Sequence, residues 1–251
     1  MTYRIAYRKH SIRLALPWVI GLALIAVGGM ALADHVPPGI LVIHFRTPPD
    51  YMERPAGSGP YSQQEIRDAM HLAKIGDAEA ESNLGVMLAS RGEYQKAVYW
   101  EKQAADSGLD TAAYNLGTMY FNGKGFPQDY AKAHQWFEQA AKRSNKYAEF
   151  QLAMIYDTGQ GVTKDPSRVI YWYTKAARQG LPAAQYNLAV IYHNGVEIAQ
   201  DDVKAYAWML SAQKNGLDTR DALTTISRGM TPAQIQSAET LSHNLSSESL
   251  P

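Results

Sequence analysis

The chain has 251 residues and no cysteine, and its 24 basic and 24 acidic residues give a formal net charge of zero. This length is sufficient for one or two domains with an apolar core, and the absence of thiols excludes disulfide and thiolate chemistry. All acidic residues follow position 33, whereas four of the basic residues precede it, so the remainder carries a net charge of −4. This slight net negative charge argues against nucleic-acid binding, which needs a basic surface.

The N-terminal segment 1–33 predicts a targeting signal. A basic stretch precedes an uncharged run from Leu14 to Ala33, and Asp34 follows. This order of charge and apolar sequence is typical of a segment that enters a membrane. Because positive charge holds the N-terminal side in the cytoplasm, we expect the rest of the chain to be exported.

Two interpretations of this segment remain open. Residues 14–27 have the length of a signal-peptide core, Gly28-Gly29 break a helix, and small residues precede position 34. These features favour cleavage after Ala33 and a periplasmic product. The whole run, however, would form about 30 Å of helix, enough to remain as an inner-membrane anchor that contacts the bilayer through residues 14–33.

Residues 34–61 hold six prolines and three glycines and predict a linker or stalk. Within them, the apolar sequence "ILVIHF" at 40–45 could form a short strand or pack on the domain that follows, although no partner strand is evident. At the other end of the chain, residues 246–251 predict a disordered tail.

Helical sequence begins at Ser62. Ser62 and Glu65 form a capping box, in which each side chain satisfies a free backbone N–H group at the start of a helix. Apolar residues then recur at helical spacing up to Gly76, which predicts the end of the helix. These apolar residues are Ile66, Ala69, Met70 and Ala73.

A constant sequence period dominates the rest of the chain. The tryptophans at 100, 136, 172 and 208 are evenly spaced, and Gly108, Ser144, Gly180 and Gly216 keep the same interval. Sequence phrases recur with it, such as "YNLGTMY" at 114–120 and "YNLAVIY" at 186–192. A constant period of this length indicates a repeat architecture of stacked units.

Each unit predicts two helices joined by a glycine-containing loop. The small residue after Asn-Leu is Gly117 in one unit and Ala189 in another, so it must serve close helix packing rather than a positive φ angle. Asp129 and Asp165 follow the loops and are suited to cap the second helices. An apolar stripe along one second helix consists of Ala133, Trp136, Phe137, Ala140 and Ala141.

These phrases resemble the Sel1-like repeat, a relative of the tetratricopeptide repeat. The resemblance covers units 77–108, 109–144, 145–180 and 181–216, of which the first has a shorter loop, with caps at 62–76 and 217–245. Glu197 replaces a loop glycine, and Gln213 replaces an alanine of the second helix. The resemblance implies an all-α, right-handed α-solenoid of antiparallel helix pairs spanning 62–245, in which the Trp and Tyr residues in register belong to the core.

The same resemblance implies that the first helices line a concave surface that binds partners. An amide can both donate and accept, so a row of amides could pair with an extended peptide; alternatively, each amide tethers its own repeat or faces water. The candidate binding residues are Asn83, Asn115, Gln151 and Asn187, with Tyr114 and Tyr186 beside them and Asp157 and His193 near the ends of the same helices.

No catalytic or metal-binding pattern is recognisable. The seven histidines are scattered and lack metal-ligand spacing, and no nucleophile elbow or phosphate-binding loop occurs. The glycines of "NGKGF" at 122–126 fall between two predicted helices without a preceding strand. We therefore expect no enzyme activity, no cofactor and no bound metal.

The sequence thus predicts a monomeric, exported scaffold or adaptor in a bacterial cell envelope that binds a protein or peptide and no nucleic acid. Two alternatives stay open. One is an enzyme of cell-wall or glycan metabolism that uses the solenoid as a substrate platform. The other is a secreted factor that interacts with host proteins.

Overall fold

The computed structural model describes residues 61–195 and 198–245, and every regular element in these ranges is a helix. The helices are α1 (Gln63–Ala73), α2 (Ala78–Ser90), α3 (Tyr94–Asp106), α4 (Asp110–Asn122), α5 (Tyr130–Ala141), α6 (Lys146–Thr158), α7 (Pro166–Arg178), α8 (Pro182–Asn194), α9 (Asp202–Lys214), α10 (Arg220–Ser227) and α11 (Pro232–Leu245).

The helices stack in chain order. The closest packing joins α2 to α3, α4 to α5, α6 to α7 and α8 to α9, and each pair also packs on the next through α3–α4, α5–α6 and α7–α8. We call these pairs units 1 to 4. A helix pair that contacts only its neighbours is the defining property of a solenoid, so the predicted all-helical solenoid is confirmed, while its right-handed sense stays a prediction.

Side chains cap the helices where the sequence predicts them. Ser62 Oγ accepts from Glu65 N at 3.1 Å, and Glu65 Oε2 accepts from Ser62 N at 2.7 Å, which completes the capping box of α1. Asp129 and Asp165 accept from backbone N–H groups in the first turns of α5 and α7. Because an aspartate cap recurs in units 2 to 4, it sets the start of α5, α7 and α9 at the same point of the repeat; the N-cap of α3, Glu93, makes no such bond.

The small residue of the first helix lies against the second helix of its own unit. A Cβ added at Gly117 would lie 2.6 Å from the Phe137 ring, and one added at Gly85 would lie 2.7 Å from Glu101 Cγ. Both glycines are helical, without positive φ. The prediction that this position serves close packing is therefore confirmed.

The second loop glycine has a different role. Gly125 and Gly161 have φ angles of +87° and +76°, and a Cβ there would collide with Tyr94 and Tyr130, at the starts of α3 and α5. Each loop thus lies on the second helix of the preceding unit, with backbone dihedrals that favour glycine. The corresponding residue in the last unit, Glu197, lies outside the described residues.

The core follows the repeat, with one correction. Tyr114, Phe137, Phe150 and Tyr173 are fully buried, and the stripe predicted for α5 is buried except for a half-buried Trp136. The tryptophans in register are not uniformly core residues, however: the one at 208 is buried, whereas those at 100, 136 and 172 are half-buried. The difference arises at the C-terminal end, where α11 packs against α9.

Several predictions fall outside the described residues. These are the targeting segment at 1–33, the linker up to residue 60 with its apolar stretch at 40–45, and the tail at 246–251. Among the helices described, none has the length and apolar character needed to cross a bilayer.

Candidate partner-binding face

Three of the four amides of the predicted row lie inside the solenoid. The exposed fractions of Asn115, Gln151 and Asn187 are only 2%, 3% and 0%. Asn115 Nδ2 donates to Glu101 Oε1 at 3.0 Å, and Asn187 Nδ2 donates to the Tyr173 hydroxyl at 3.1 Å.

Both acceptors belong to the second helix of the preceding unit, so these two amides tether one unit to the next. The expectation that Asn115, Gln151 and Asn187 form an accessible row is therefore corrected, because stacking of the units covers that side of the first helices. Asn83 differs from them, since its side chain is exposed on α2.

The predicted tyrosines are also internal. Tyr114 and Tyr186 are both buried, and burial raises the pKa of the Tyr186 hydroxyl. The Tyr114 ring packs against Phe137 with centroids 5.8 Å apart. These two side chains stabilise the stack and present no surface to a partner in this conformation.

Asp157 and His193 are half-buried near the C-terminal ends of α6 and α8. His193 Nδ1 lies 2.6 Å from Asp202 Oδ1 and so connects the end of α8 to the start of α9. Burial, and then the charge of Asp157, raise the pKa of Tyr173. Both residues therefore interact within their own unit, and their contact with a partner stays a prediction.

A buried carboxyl replaces an apolar residue in unit 1. Glu101 is fully buried where the later units have Phe137, Tyr173 and Met209. Ser82 Oγ donates to Glu101 Oε2 at 2.9 Å. Burial raises the pKa of Glu101 to about 8, against the opposing effect of its hydrogen bonds from Ser82 and Asn115.

In units 2 to 4, a cation in the first turn of the second helix lies over a tyrosine ring near the end of the first helix. Lys132 Nζ lies 5.5 Å from the Tyr120 ring centroid, and Arg168 lies 5.0 Å from that of Tyr156. The same arrangement joins Lys204 to Tyr192 at 5.3 Å. Each cation also pairs with the acidic cap of its helix. Because of these recurring contacts, a face of each of these tyrosine rings is already occupied by a cation of the same chain.

The outer side of the second helices is different. Tyr99 and Tyr171, two units apart, are 56% and 54% exposed. Each forms an edge-to-face pair with the tryptophan that follows it: the ring centroids are 5.2 Å apart for Tyr99–Trp100 and 4.8 Å apart for Tyr171–Trp172. We call the line of equivalent positions 99, 135, 171 and 207, with the residues one turn later at 103, 139, 175 and 211, the outer stripe.

In unit 4 the chain covers this stripe with its own helix. Ala207 and Ser211, at stripe positions, are 0% and 1% exposed, and Trp208 between them is 4% exposed. Both α10 and α11 pack against α9, and Ala238 of α11 is completely buried. The outer stripe is thus a helix-contact surface in unit 4 and is open to solvent at the tyrosines of units 1 and 3.

Sequence reasoning missed this face because it followed the residues that recur. Position 99 and its equivalents hold Tyr, Gln, Tyr and Ala, which is a variable position of the repeat. A large aromatic residue at a position that the repeat does not require was the available signal. Small residues at 207 and 211 were a second signal, since they permit close approach of another helix.

Within residues 61–195 and 198–245, no group of three or more His, Cys, Asp or Glu side chains is placed to hold a metal ion. The side chains of the outer stripe are suited instead to contact another macromolecule. Tyrosine and tryptophan combine a large apolar area with a polar group, the composition found at the energetic centres of protein interfaces.

Several solved structures are similar to this chain. The chain is 25% identical to a Sel1 repeat protein from Oxalobacter formigenes, with a TM-score of 0.56 over 71% of this chain and 84% of that one. It is 27% identical to c5321, a protective antigen of uropathogenic Escherichia coli, with a TM-score of 0.48 over 72% of this chain. That match spans 48% of c5321, so the chain corresponds to about half of its length.

A third similar structure is a Sel1 repeat protein from Klebsiella pneumoniae, 26% identical, with a TM-score of 0.47 over 72% of this chain and 91% of that one. None of the curated proteins matches the chain. The stacked helix pairs define an α-solenoid of the tetratricopeptide type.

Within that class, the family model described as Sel1 repeat matches residues 78–109, 111–145, 146–181 and 182–217, more than half of the chain. The chain belongs to the Sel1 repeat family, whose members generally act as protein–protein interaction scaffolds.

Proposed function

We propose that this chain is an exported scaffold of a bacterial cell envelope that holds a protein partner on its outer stripe. The observation that carries the proposal is the contrast between units. The stripe is buried in unit 4, where α10 and α11 pack on α9, but exposes Tyr99 and Tyr171 in units 1 and 3. A surface that the fold itself uses for helix packing is suited to the same use by another chain.

The energetic basis is the burial of aromatic surface. Each aromatic side chain buries on the order of 150–250 Å² when fully covered, and aromatic residues dominate the energies of interfaces. The half-buried Trp100 and Trp172 add to the contact area and hold the adjacent tyrosine rings in place through their edge-to-face packing. A partner would therefore meet two preorganised aromatic sites on a rigid helical support.

Export is proposed from the N-terminal segment 1–33 alone. Its basic flank and the uncharged run from Leu14 to Ala33 support entry into the membrane. The product would be periplasmic after cleavage behind Ala33, or anchored in the inner membrane if residues 14–33 are retained.

Site-specific photo-crosslinking in intact cells tests the scaffold role. A photoreactive amino acid is placed at Tyr99, at Tyr171, at Asn83 on the first helices, and at the exposed Thr240 of α11 as a control. We expect one protein to be captured from positions 99 and 171 and not from position 240. Capture from Asn83 alone would contradict the outer stripe and favour the first-helix surface.

Fractionation of the same cells, with the mass of the captured chain, tests export separately. A mature chain beginning at Asp34 in the periplasm, or an intact chain in the inner membrane, is expected. Recovery in the cytoplasm would overturn export without affecting the scaffold role, and recovery in the medium would place the protein outside the cell.

A further inference from the structure

Helix α1 occupies the place of a second helix in a unit before unit 1. It is followed by Gly76, whose φ angle of +85° corresponds to that of Gly108 after α3, at +96°. In both cases the glycine N–H donates to the carbonyl three residues earlier. Every second helix of units 1 to 4 packs closely on the first helix of its own unit, whereas α1 packs closely only on α2 among the described helices.

One face of α1 is open where the same face of each later second helix is buried. Counted back from the glycine, Leu72 corresponds to the alanines at 104, 140, 176 and 212, which are all fully buried, but Leu72 itself is 49% exposed. Ile75, in the turn after α1, is 72% exposed. Ala69 is half-buried and provides only a methyl group where Phe137 and Tyr173 are fully buried. We call Ala69, Leu72 and Ile75 the N-terminal face.

The amide of α2 reflects the same difference. Asn115 and Asn187 donate to Glu101 and Tyr173, the residues that correspond to Ala69 in units 1 and 3. Because Ala69 has no acceptor in its side chain, Asn83 lacks this contact and is exposed. The opening therefore extends from α1 to the start of unit 1.

The two ends of the solenoid differ in how they are closed. At the C-terminal end, α10 and α11 pack on α9, and Trp208 is buried. At the other end, Leu72 and Ile75 are two of the four large apolar side chains that are exposed within residues 61–195 and 198–245. Terminal elements of a solenoid ordinarily present a polar outer face, so an aliphatic face at this end points to a further covering segment.

The size of the N-terminal face favours a segment of the same chain over a second copy. A stable complex between separate chains takes about 20–30 residues a side. Helix α1 has only 11 residues, and one side of it already packs on α2. A tethered segment can dock on a smaller area, because its tether gives it a high effective concentration.

The chain that precedes α1 supplies such a segment. The described part begins at Tyr61, which packs against the core cluster that α1 to α4 form. Between positions 34 and 61, the longest apolar run is "ILVIHF" at 40–45. Residues 46–60 separate it from Tyr61 and span at most about 50 Å, whereas α1 is about 16 Å long. The run can therefore reach every residue of the N-terminal face.

We infer that residues 40–45 pack on the N-terminal face and close this end of the solenoid, as α10 and α11 close the other. Docking removes the apolar side chains of the run and those of Leu72 and Ile75 from water together. The inference goes beyond the proposed function, since it assigns a binding role within residues 34–60 and does not depend on the outer stripe.

Docking also sets the distance between the scaffold and the membrane. Where residues 14–33 are retained as an anchor, only residues 34–39 join the bilayer to the docked run, and they span at most about 20 Å. The solenoid is then held with its N-terminal end toward the membrane, instead of at the end of a free stalk of 28 residues.

Disulfide trapping in the full-length protein tests this inference, because the chain has no cysteine of its own. Leu72→Cys is combined with a second cysteine at each position from 40 to 45 in turn, and the rate of intramolecular disulfide formation is followed on non-reducing gels. The control carries Arg67→Cys instead, at an exposed position on another side of α1 and nearer to the tether. We expect at least one position to be linked to residue 72 about tenfold faster, or more, than to residue 67.

Amide exchange measures the same contact without a covalent bond. The backbone amides of residues 40–45 should exchange at least about tenfold more slowly than those of residues 50–60. Leu72→Gln with Ile75→Gln should remove this protection, whereas Arg67→Gln should leave it unchanged. All three side chains are exposed and glutamine is a good helix former, so α1 should keep its own protection in both variants.

Three outcomes would overturn the inference. Equal linking rates to residues 72 and 67 would show a free segment, and a disulfide-linked dimer would show that a second copy covers the face. Faster linking of Leu24→Cys than of any position from 40 to 45 would assign the face to the apolar run 14–33. Photo-crosslinking from positions 99 and 171 is independent of these results, so either proposal can fail while the other stands.

Discussion

Ser144 shows how one backbone position constrains residue choice. Its φ angle is +60°, in the left-handed region, and the equivalent residues of the other units, Gly108, Gly180 and Gly216, have φ angles of +96°, +76° and +98°. The turn after each second helix therefore requires a conformation that costs a non-glycine residue about 1–2 kcal/mol. Unit 2 carries a strain that the glycines of the other units avoid.

Replacement of Ser144 by glycine should stabilise the protein. Relief of the left-handed strain outweighs the extra entropy of glycine in the unfolded chain, so we expect a gain of about 0.5–1 kcal/mol in the free energy of unfolding. Urea denaturation measures it. Ser107→Gly is the control, because Ser107 has a right-handed φ of −74° and the same change there should destabilise the protein. A loss of stability in both variants would contradict the argument.

Because Glu101 is buried, we expect the free energy of unfolding to fall as the pH rises. Its pKa is raised to about 8 in the folded protein by burial, whereas an unfolded glutamate ionises near pH 4.5. The folded state therefore retains a proton that the unfolded state releases, so the contribution is complete below about pH 4.5 and is lost as pH rises through about 8. The expected slope between these limits is on the order of 1 kcal/mol per pH unit.

Glu101→Gln should remove that slope. An amide keeps an acceptor for Asn115 and offers a donor to Ser82, as the protonated carboxyl does, but it cannot ionise. We expect the variant to be more stable than the parent by several kcal/mol at about pH 8 and similar at about pH 5, measured by urea unfolding at both values. Glu79→Gln, an exposed change on α2, is the control, and equal pH profiles of parent and E101Q would refute the role of burial.

At the scale of elements, the C-terminal helices decide which part of the repeat surface is closed. α10 and α11 pack on α9, where Ala207, Trp208 and Ser211 are buried, whereas the equivalents of these residues in unit 3 are exposed or half-buried. A capping box starts α11, with Thr231 N donating to Gln234 Oε1 at 2.8 Å and Gln234 N donating to Thr231 Oγ1 at 3.3 Å. Local capping thus forms the helix, and packing on α9 places it.

Ala238→Arg should detach α11 from α9. Ala238 is fully buried, and the larger charged side chain cannot be accommodated without displacement of the helix, so the contact should lose at least about 1–3 kcal/mol. Faster proteolysis after residue 231 and faster amide exchange in α9 are the expected results. Thr240→Arg, at an exposed position of the same helix, should change neither rate, and equal rates in both variants would show that α11 is not held by this contact.

For the whole molecule, stability is a sum of contacts between neighbours. Among the described helices, each one from α1 to α10 packs closely on the next, whereas α11 packs closely on α9 instead of on α10. In such an array a defect weakens its own unit and the adjoining ones before it affects the ends.

Phe137→Ala tests this behaviour. The ring is fully buried between α4 and α5, so its removal should cost about 3–5 kcal/mol. Amide exchange should accelerate first in α4, α5 and α6, while α1 and α9 keep their protection. Uniform acceleration along the chain would instead indicate one cooperative domain. Phe137→Leu, which preserves most of the volume, is the conservative comparison.

The sequence by itself determined the helices, their caps, the constant period of the repeat and the close packing at Gly85 and Gly117. All of these depend on local spacing, which repeats from unit to unit and can be read from one copy and checked on the next. The all-helical solenoid could be predicted for the same reason.

Tertiary structure alone decided which repeated residues are accessible. Asn115 and Asn187 donate hydrogen bonds to the preceding unit, and the outer stripe is buried in unit 4, where α10 and α11 pack on α9, but exposed at the tyrosines of units 1 and 3. Both facts depend on how separate helices pack against one another, which the period does not specify. Recurrence marks the residues that stacking requires, whereas the open surface at Tyr99 and Tyr171 lies where recurrence fails, because stacking does not constrain an exposed position.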